Sequence, residues 1–192
     1  MFELLFQNIS KKVSLTEEEM QLIQTFFVQK KLRKKQYLLQ EGDVCKYTAF
    51  VNKGVLRSYT TDEKGNEHII QFALEDWWIA DIYSFLTGEA SNCNIDALED
   101  AELLLITKTA QDEMLLQIPK MERYFRLLMQ SSLIAMQRRL IGSLNYTAED
   151  KYLQLLAVCP TIIQRVPQHY IASYLGITPE TLSRIRRQMA FR

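Results

Sequence analysis

The sequence predicts an α+β fold: an N-terminal antiparallel β roll, then a long helix, then a C-terminal helix-turn-helix. Short β-like runs separated by turn residues fill the first half of the chain, an uninterrupted helical pattern follows, and the chain ends in a basic segment. These patterns place the roll in residues 1–115, the long helix in 116–145 and the helix-turn-helix domain in 146–192.

Length, composition and charge indicate a globular protein with one basic end. The 192 residues are 47% hydrophobic, enough for a substantial core, and 23 basic residues balance 23 acidic ones. From residue 160 onward a single acid, Glu180, accompanies five arginines, a composition typical of nucleic-acid binding. Those arginines are Arg165, Arg184, Arg186, Arg187 and Arg192. The opening residues lack a signal-peptide pattern and no stretch reaches the roughly 20 apolar residues of a membrane span, so we expect a cytoplasmic protein.

Capping and alternation predict the elements of the roll in order. Thr16 with Glu19 has the capping-box spacing that begins a helix. Short runs rich in β-branched and aromatic residues predict strands at 37–39, 48–51, 55–59, 69–72 and 103–106. Strands of this length at near-regular spacing favour a roll or sandwich. The basic run at 30–35 is interpreted as a solvated helix end and turn, with contact to flanking DNA as the alternative.

A helical pattern runs from about residue 108 to 144 and predicts one long helix or a bent pair, with Pro119 as its only breaker. Apolar residues recur along it in three rows: Leu127, Ile134 and Ile141; Met129 and Met136; Leu133 and Leu140. This stripe is wider than one partner surface requires. We therefore expect one side to pack on the roll and the other on the same helix of a second subunit. A helix buried within a single chain would show the same periodicity.

Residues 168–187 have the pattern of two helices joined by a tight turn. Ile171, Ala172 and Leu175 give the first helix an apolar face, and Gly176 suits the left-handed backbone that the turn requires. Thr178 is the expected cap of the second helix, and Pro179 suits the first position, where no amide donor is needed.

The second helix carries the residues that predict function. Leu182, Ile185 and Met189 recur at helical spacing and face inward, which leaves Glu180 and Arg184 on the opposite face. Arginine donates two hydrogen bonds to guanine and glutamate accepts one from cytosine, so we predict that Glu180 and Arg184 read bases. The residues expected to contact the DNA backbone are Gln168, His169, Thr178, Thr181, Ser183 and Arg187. A solvated basic helix closing a helical domain is the structural alternative.

This segment resembles the DNA-binding motif of the Crp/Fnr family, relatives of the catabolite activator protein, where Glu180 and Arg184 fall on base-reading positions. Residues 40–43, 50–57 and 63–67 resemble the opening strands of that family's cyclic-nucleotide-binding-like roll. The resemblance implies an effector roll, a dimerisation helix and a winged-type helix-turn-helix. It also implies a homodimer on palindromic double-stranded DNA, with RNA polymerase as a further partner. Pro179 stands where the catabolite activator has an arginine, so we expect a different operator.

The resemblance also raises the question of an effector. In cyclic-AMP-binding relatives a Gly-Glu pair holds the ribose and an Arg-Ser pair holds the phosphate, where this chain has Ile79-Ala80 and Ser91-Asn92. Residues 66–106 contain nine acids and no lysine or arginine. An unpaired buried phosphate is strongly disfavoured, so we predict no cyclic-AMP or cyclic-GMP binding by the usual mode. An apolar effector pocket is a further prediction, with ordinary core and interface aromatics as its alternative; its residues would be Trp77, Trp78, Tyr83 and Phe85.

No cofactor, metal centre or catalytic site is expected. Cys45, Cys93 and Cys159 are too few for the four-cysteine cluster of the family's iron–sulfur sensors within one subunit. His68 and His169 are too few for a cupin-type metal centre, and a hydrogen bond from His68 to a neighbour is expected rather than haem ligation. The constellation of an enzyme is missing. The remaining rival is a β-roll protein–protein signalling module with a degenerate helix-turn-helix, which would not need an exposed base-reading pair.

Overall fold

The computed structural model describes residues 2–190, so Arg192 lies outside the described residues. The chain divides into two compact units, one holding residues up to 60 together with 71–130, and one holding 61–70 together with the residues from 131 onward. The strands are β1 (Val28–Leu32), β2 (Tyr37–Leu39), β3 (Tyr47–Lys53), β4 (Leu56–Thr61), β5 (Glu67–Ala73), β6 (Trp78–Ile79), β7 (Asn94–Ala97) and β8 (Ala101–Thr107). The helices are α1 (Glu3–Ser10), α2 (Glu17–Thr25), α3 (Ile82–Thr87), α4 (Lys108–Gln117), α5 (Lys120–Asn145), α6 (Ala148–Val158), α7 (Ile162–Arg165), α8 (Gln168–Leu175) and α9 (Pro179–Ala190).

The strands form two four-stranded sheets, ordered β1-β8-β3-β6 and β2-β7-β4-β5. The pairings of β8 with β1 and β3, and of β7 with β2 and β4, are antiparallel. Alternation divides the side chains of β3 and β8 between two cores. Ala49 and Leu105 belong to one core, whereas Phe50 and Leu104 belong to the other, and the register pairs Ala49 with Leu105 and Phe50 with Leu104. The predicted antiparallel roll is thus confirmed.

The second core lies between β3, β8 and the helices of the first unit, and a buried polar chain crosses it. The Trp78 indole donates to the Tyr124 hydroxyl at 2.9 Å, and that hydroxyl donates to Oδ1 of Asn8 at 2.7 Å. The Asn8 amide donates in turn to the backbone oxygen and the carboxylate of Asp76. Each donor in this series of hydrogen bonds has an acceptor. The series therefore connects α1 and the first turns of α5 to β6 without leaving a buried donor unsatisfied.

Several elements differ from the sequence prediction. The basic run was interpreted as a helix end and turn, but Lys30 and Lys31 lie on the edge strand β1, paired with Leu103 and Glu102 of β8. That strand lacks alternation because its first four residues are all exposed. Helix α1, β6, α3 and β7 were also not predicted. Helix α2 begins as expected, because Thr16 and Glu19 form a complete capping box.

Of the two forms left open for the helical stretch, the structure shows a pair. Helix α4 ends before Ile118, whose φ of −130° and ψ of 80° leave the helical region, and α5 begins after Pro119. The apolar stripe of α5 is exposed on this chain, so a helix buried within a single chain is not observed. Its exposed members are Met129, Leu133, Ile134, Met136, Leu140, Ile141 and Leu144, with exposed fractions between 43% and 76%.

The described part of the C-terminal region, residues 146–190, consists of four helices and the turns between them. Within these described residues the short helix α7 and tight turns join the longer helices, and a strand of the implied wing is not among them. The first helix of this region is α6, capped by Thr147 in a second capping box. Within residues 2–190, no helix combines the length and apolar character needed to cross a bilayer.

Candidate nucleic-acid interface

The helix-turn-helix is built on a small apolar core shared by α6, α8 and α9. Ile171 and Ala172 of α8 are fully buried, as is Leu182 of α9, and Tyr152 of α6 is 3% exposed. Ala172 is buried and has only a methyl group as its side chain, so it allows a neighbouring helix to approach α8 closely. This core fixes the outer face of α9 relative to α8.

The turn between α8 and α9 has the predicted geometry. Gly176 ends α8 with φ 67° and ψ 37°, a left-handed conformation that costs glycine little. The backbone N–H of Ile177 donates to the carbonyl of Ala172 at 3.0 Å, which closes the helix end. The Thr178 hydroxyl then accepts from the Thr181 backbone N–H at 3.2 Å and caps α9.

Helix α9 presents the predicted base-reading pair to solvent. Leu182 and Ile185 are 0% and 5% exposed, whereas Glu180 and Arg184 are both exposed, one helical turn apart on the opposite face. The backbone N–H at the start of α9 lowers the pKa of Glu180, and the Thr178 hydroxyl adds to that effect. Glu180 is therefore an ionised acceptor at neutral pH.

The predicted phosphate contacts fall into two groups. Ser183, Arg187 and His169 are exposed, and within the described residues neither Arg184 nor Arg187 forms an ion pair. The other three already have partners in the motif: Thr178 and Thr181 share a hydroxyl–hydroxyl bond, and Gln168 donates to the carbonyl of Pro179 at 3.3 Å.

One residue of this motif was missed by the sequence analysis. Arg186 lies on α9 between the two outward-facing arginines, yet it is half-buried and donates to Oε1 of Gln168 at 3.4 Å. It therefore braces the start of α8 against α9 instead of standing in solvent. Its helical position, one residue after the buried Ile185, was the available signal.

The four aromatic residues proposed for an effector pocket do not come together. Trp78 packs edge-on against Phe50 and Phe125 in the helix-facing core, whereas Phe85 belongs to the core between the sheets. Trp77 and Tyr83 are exposed, and the Tyr83 hydroxyl donates to Glu89. Their placement matches the alternative of ordinary core and surface aromatics.

Carboxylates create a negative electrostatic potential around Ser91. This residue aligns with the Arg-Ser pair that holds the phosphate in cyclic-AMP-binding relatives. The Ser91 hydroxyl donates to Oδ2 of Asp81 at 2.7 Å, while Oδ1 of Asp81 caps α3. Burial raises the pKa of the nearby Cys93 thiol, and the carboxylates of Asp81 and Glu41 raise it further. A thiolate is disfavoured there, and the same negative potential opposes a phosphate.

Arg57 is the buried cation among the described residues of the roll, and it is already paired. Arg57 makes a bidentate contact to Asp96, with Nε 2.7 Å from Oδ1 and Nη2 3.0 Å from Oδ2, and the side chains are 5% and 9% exposed. Its guanidinium also lies 4.0 Å from the centre of the Tyr59 ring. The residues present thus do not fit a cyclic nucleotide held by a cation.

The three cysteines and two histidines are dispersed through the described residues. Cys45 and Cys93 belong to the first unit and Cys159 to the second, and residues 2–190 contain no cluster of three or more candidate ligands. His68 lies 3.0 Å from Oδ2 of Asp62. That is the neighbouring partner expected for it.

A β roll, a long helix and a helix-turn-helix with an exposed basic face together define the class of β-roll transcription regulators. Residues 29–117 match the model of the cyclic nucleotide-binding domain. Over 186 residues the chain is 27% identical to the fumarate and nitrate reduction regulatory protein of Vibrio cholerae, a match that covers 90% of this chain and 73% of that protein. These likenesses cover most of the chain, and they are likenesses to transcription regulators of the Crp/Fnr type.

Solved structures share the fold. FixK2 from Bradyrhizobium japonicum superposes with a TM-score of 0.73 at 18% identity, covering 86% of this chain and 85% of FixK2. The Thermus thermophilus catabolite activator protein gives 0.57 at 19% identity, covering 92% of this chain and 84% of its own.

Proposed function

We propose that the protein binds a palindromic DNA operator as a homodimer and regulates transcription from it in the cytoplasm. One observation carries the proposal: α9 buries Leu182 and Ile185 and turns Glu180 and Arg184 outward together. A helix that only closed a helical domain would not need an acid and a base aligned on its solvent face. The same argument disfavours a signalling module with a degenerate motif.

Base reading follows from the chemistry of the pair. The Arg184 guanidinium can donate to O6 and N7 of one guanine, and the ionised Glu180 carboxylate can accept from N4 of a cytosine. Because the two side chains stand one helical turn apart, they would address neighbouring base pairs in one major groove.

Backbone contacts would come from both helices. Arg187, Ser183 and His169 are exposed and would bind phosphates directly. Gln168, Thr178 and Thr181 would reach phosphates only by sharing the hydrogen bonds that they make within the motif. We expect these three to contribute less than Arg187.

Regulators of this family bind DNA as dimers, and the exposed stripe of α5 is the surface that would pair the subunits. A two-fold dimer would place its α9 helices about 34 Å apart, one turn of DNA, so the operator would be an inverted repeat. RNA polymerase is the proposed partner on that DNA. We propose no cyclic nucleotide as effector, because Arg57 is committed to Asp96 and Asp81 faces Ser91.

Selection of bound sequences from random DNA tests the proposal. We expect an inverted repeat, and Arg184→Ala should weaken binding to the selected site by about 1–3 kcal/mol and relax preference at one base pair of each half-site. Arg187→Ala is the matched control on the same helix. It should weaken binding to all sequences alike and reduce the slope of log affinity against log salt concentration by about 1. Recovery of no inverted repeat, or equal loss of preference in both variants, would contradict the assignment.

A further inference from the structure

A second set of contacts joins the helix-turn-helix to the tip of the β4–β5 hairpin, inside the second unit. Ser173 of α8 donates its hydroxyl to the carbonyl of Glu67 at 2.8 Å and accepts from the backbone N–H of Ile69 at 3.1 Å. Strand β5 is the last strand of its sheet, so this side chain binds main-chain groups at a sheet edge.

The Ser173 hydroxyl takes the place of a neighbouring strand at the edge of β5. It binds one donor and one acceptor of β5, separated by a single residue, as a short piece of partner strand would. Ile69 is 5% exposed, so its amide has little water available as a substitute. Alanine removes both hydrogen bonds, whereas threonine keeps the hydroxyl.

Arg139 of α5 completes the junction. Its guanidinium donates to the carbonyl of Ile70, the residue after Ile69, and lies 4.8 Å from the centre of the Tyr174 ring on α8. Tyr174 directly follows Ser173. Helix α5, the hairpin tip and α8 therefore meet at Arg139 and Ser173, a pair of residues that we call the hairpin clasp.

We propose that the hairpin clasp positions the recognition helix, and that Ser173 and Arg139 thereby set the half-site spacing that the dimer accepts. This rests on the proposed function. Neither residue belongs to the base-reading face of α9. The clasp would therefore affect the position of α9 and leave its base preference unchanged. Because α8 and α9 share one packed core, holding α8 in place holds α9 in place.

The test compares the full-length protein with Ser173→Ala on the selected operator and on versions whose half-sites are moved by one or two base pairs in either direction. The unaltered protein should lose about tenfold in affinity per misplaced base pair, the size of one lost base contact. Ser173→Ala should lose less than about threefold, with unchanged base preference inside each half-site. Ser173→Thr, which keeps the hydroxyl, should restore the narrow spacing profile.

Arg139→Lys provides an independent variant, because lysine keeps the charge but cannot stack a planar group on Tyr174. It should broaden the spacing profile in the same direction. The proposed role of the hairpin clasp would be overturned if Ser173→Ala and Arg139→Lys lost affinity for all operators alike and kept a spacing profile as narrow as that of the unaltered protein. That outcome would leave the proposed function intact. An unaltered protein that selects no DNA sequence would overturn both.

Discussion

Replacing Asp96 with asparagine should destabilise the β roll, because it leaves the Arg57 guanidinium buried without its counter-charge. Asparagine preserves the shape of the side chain and one acceptor oxygen. Removing one partner of a buried pair costs about 3–5 kcal/mol. With Arg57 and Asp96 only 5% and 9% exposed, water cannot replace the carboxylate. We expect a loss near the lower limit, about 3 kcal/mol, because one hydrogen bond survives.

Urea unfolding followed by tryptophan fluorescence measures this loss. The chain has two tryptophans, Trp77 and Trp78, and both lie in the first unit, so their emission reports on the roll. With a slope of about 2 kcal/mol per molar urea, the midpoint should fall by about 1.5 M. The double variant Arg57→Met with Asp96→Leu is the control, since it removes both charges and should recover most of the loss. An unchanged midpoint in Asp96→Asn would refute the reasoning.

Three further predictions concern other parts of the chain. Gly54→Ala should lower the free energy of unfolding by about 2–5 kcal/mol, because the backbone of Gly54 is left-handed and a Cβ would lie 2.7 Å from the Asp100 carbonyl oxygen. The control Gly65→Ala is also left-handed but faces open space, so it should cost about 1–2 kcal/mol. Equal urea midpoints for the two variants would contradict this prediction. Leu133→Asp, on the exposed stripe of α5, should turn the dimer into a monomer in analytical ultracentrifugation, while Leu116→Asp, also exposed but on α4, should not. The Cys93 thiol, whose pKa is raised by burial and by Asp81 and Glu41, should react with iodoacetamide more slowly than free cysteine at pH 8, with a rate still rising above pH 9; a plateau below pH 9 would argue against the negative potential.

Elements with strong local signals were predictable from the sequence. Thr16 and Thr147 cap helices because each hydroxyl binds a nearby backbone amide, and Gly176 ends α8 because the turn needs a left-handed residue. The exposure of Glu180 and Arg184 also followed, since burying Leu182 and Ile185 at helical spacing fixes the opposite face.

The remainder depends on contacts between residues distant in sequence. Strand β1 exists because β8 pairs with it, and its own residues Lys30 and Lys31 give no alternating signal. Ser173 resembled any polar helix residue until Glu67 and Ile69 were placed beside it. The aromatic residues were misassigned to one pocket because adjacent positions such as Trp77 and Trp78 point in different directions along an extended segment. The domain boundaries, the operator and the roles of individual residues at DNA stay predictions.

The hydrogen bonds of Tyr124 hold the first turns of the long helix α5 in place. Helix α5 has 26 residues and is about 39 Å long, and from Tyr124 to Asn145 it extends about 32 Å. A tilt of only about 5° at the anchored end would swing Asn145 through about 3 Å, close to the rise of one base pair, 3.4 Å. Repacking by a fraction of an ångström around Asn8, Trp78 and Tyr124 would therefore be magnified along α5 into a displacement of its last turn.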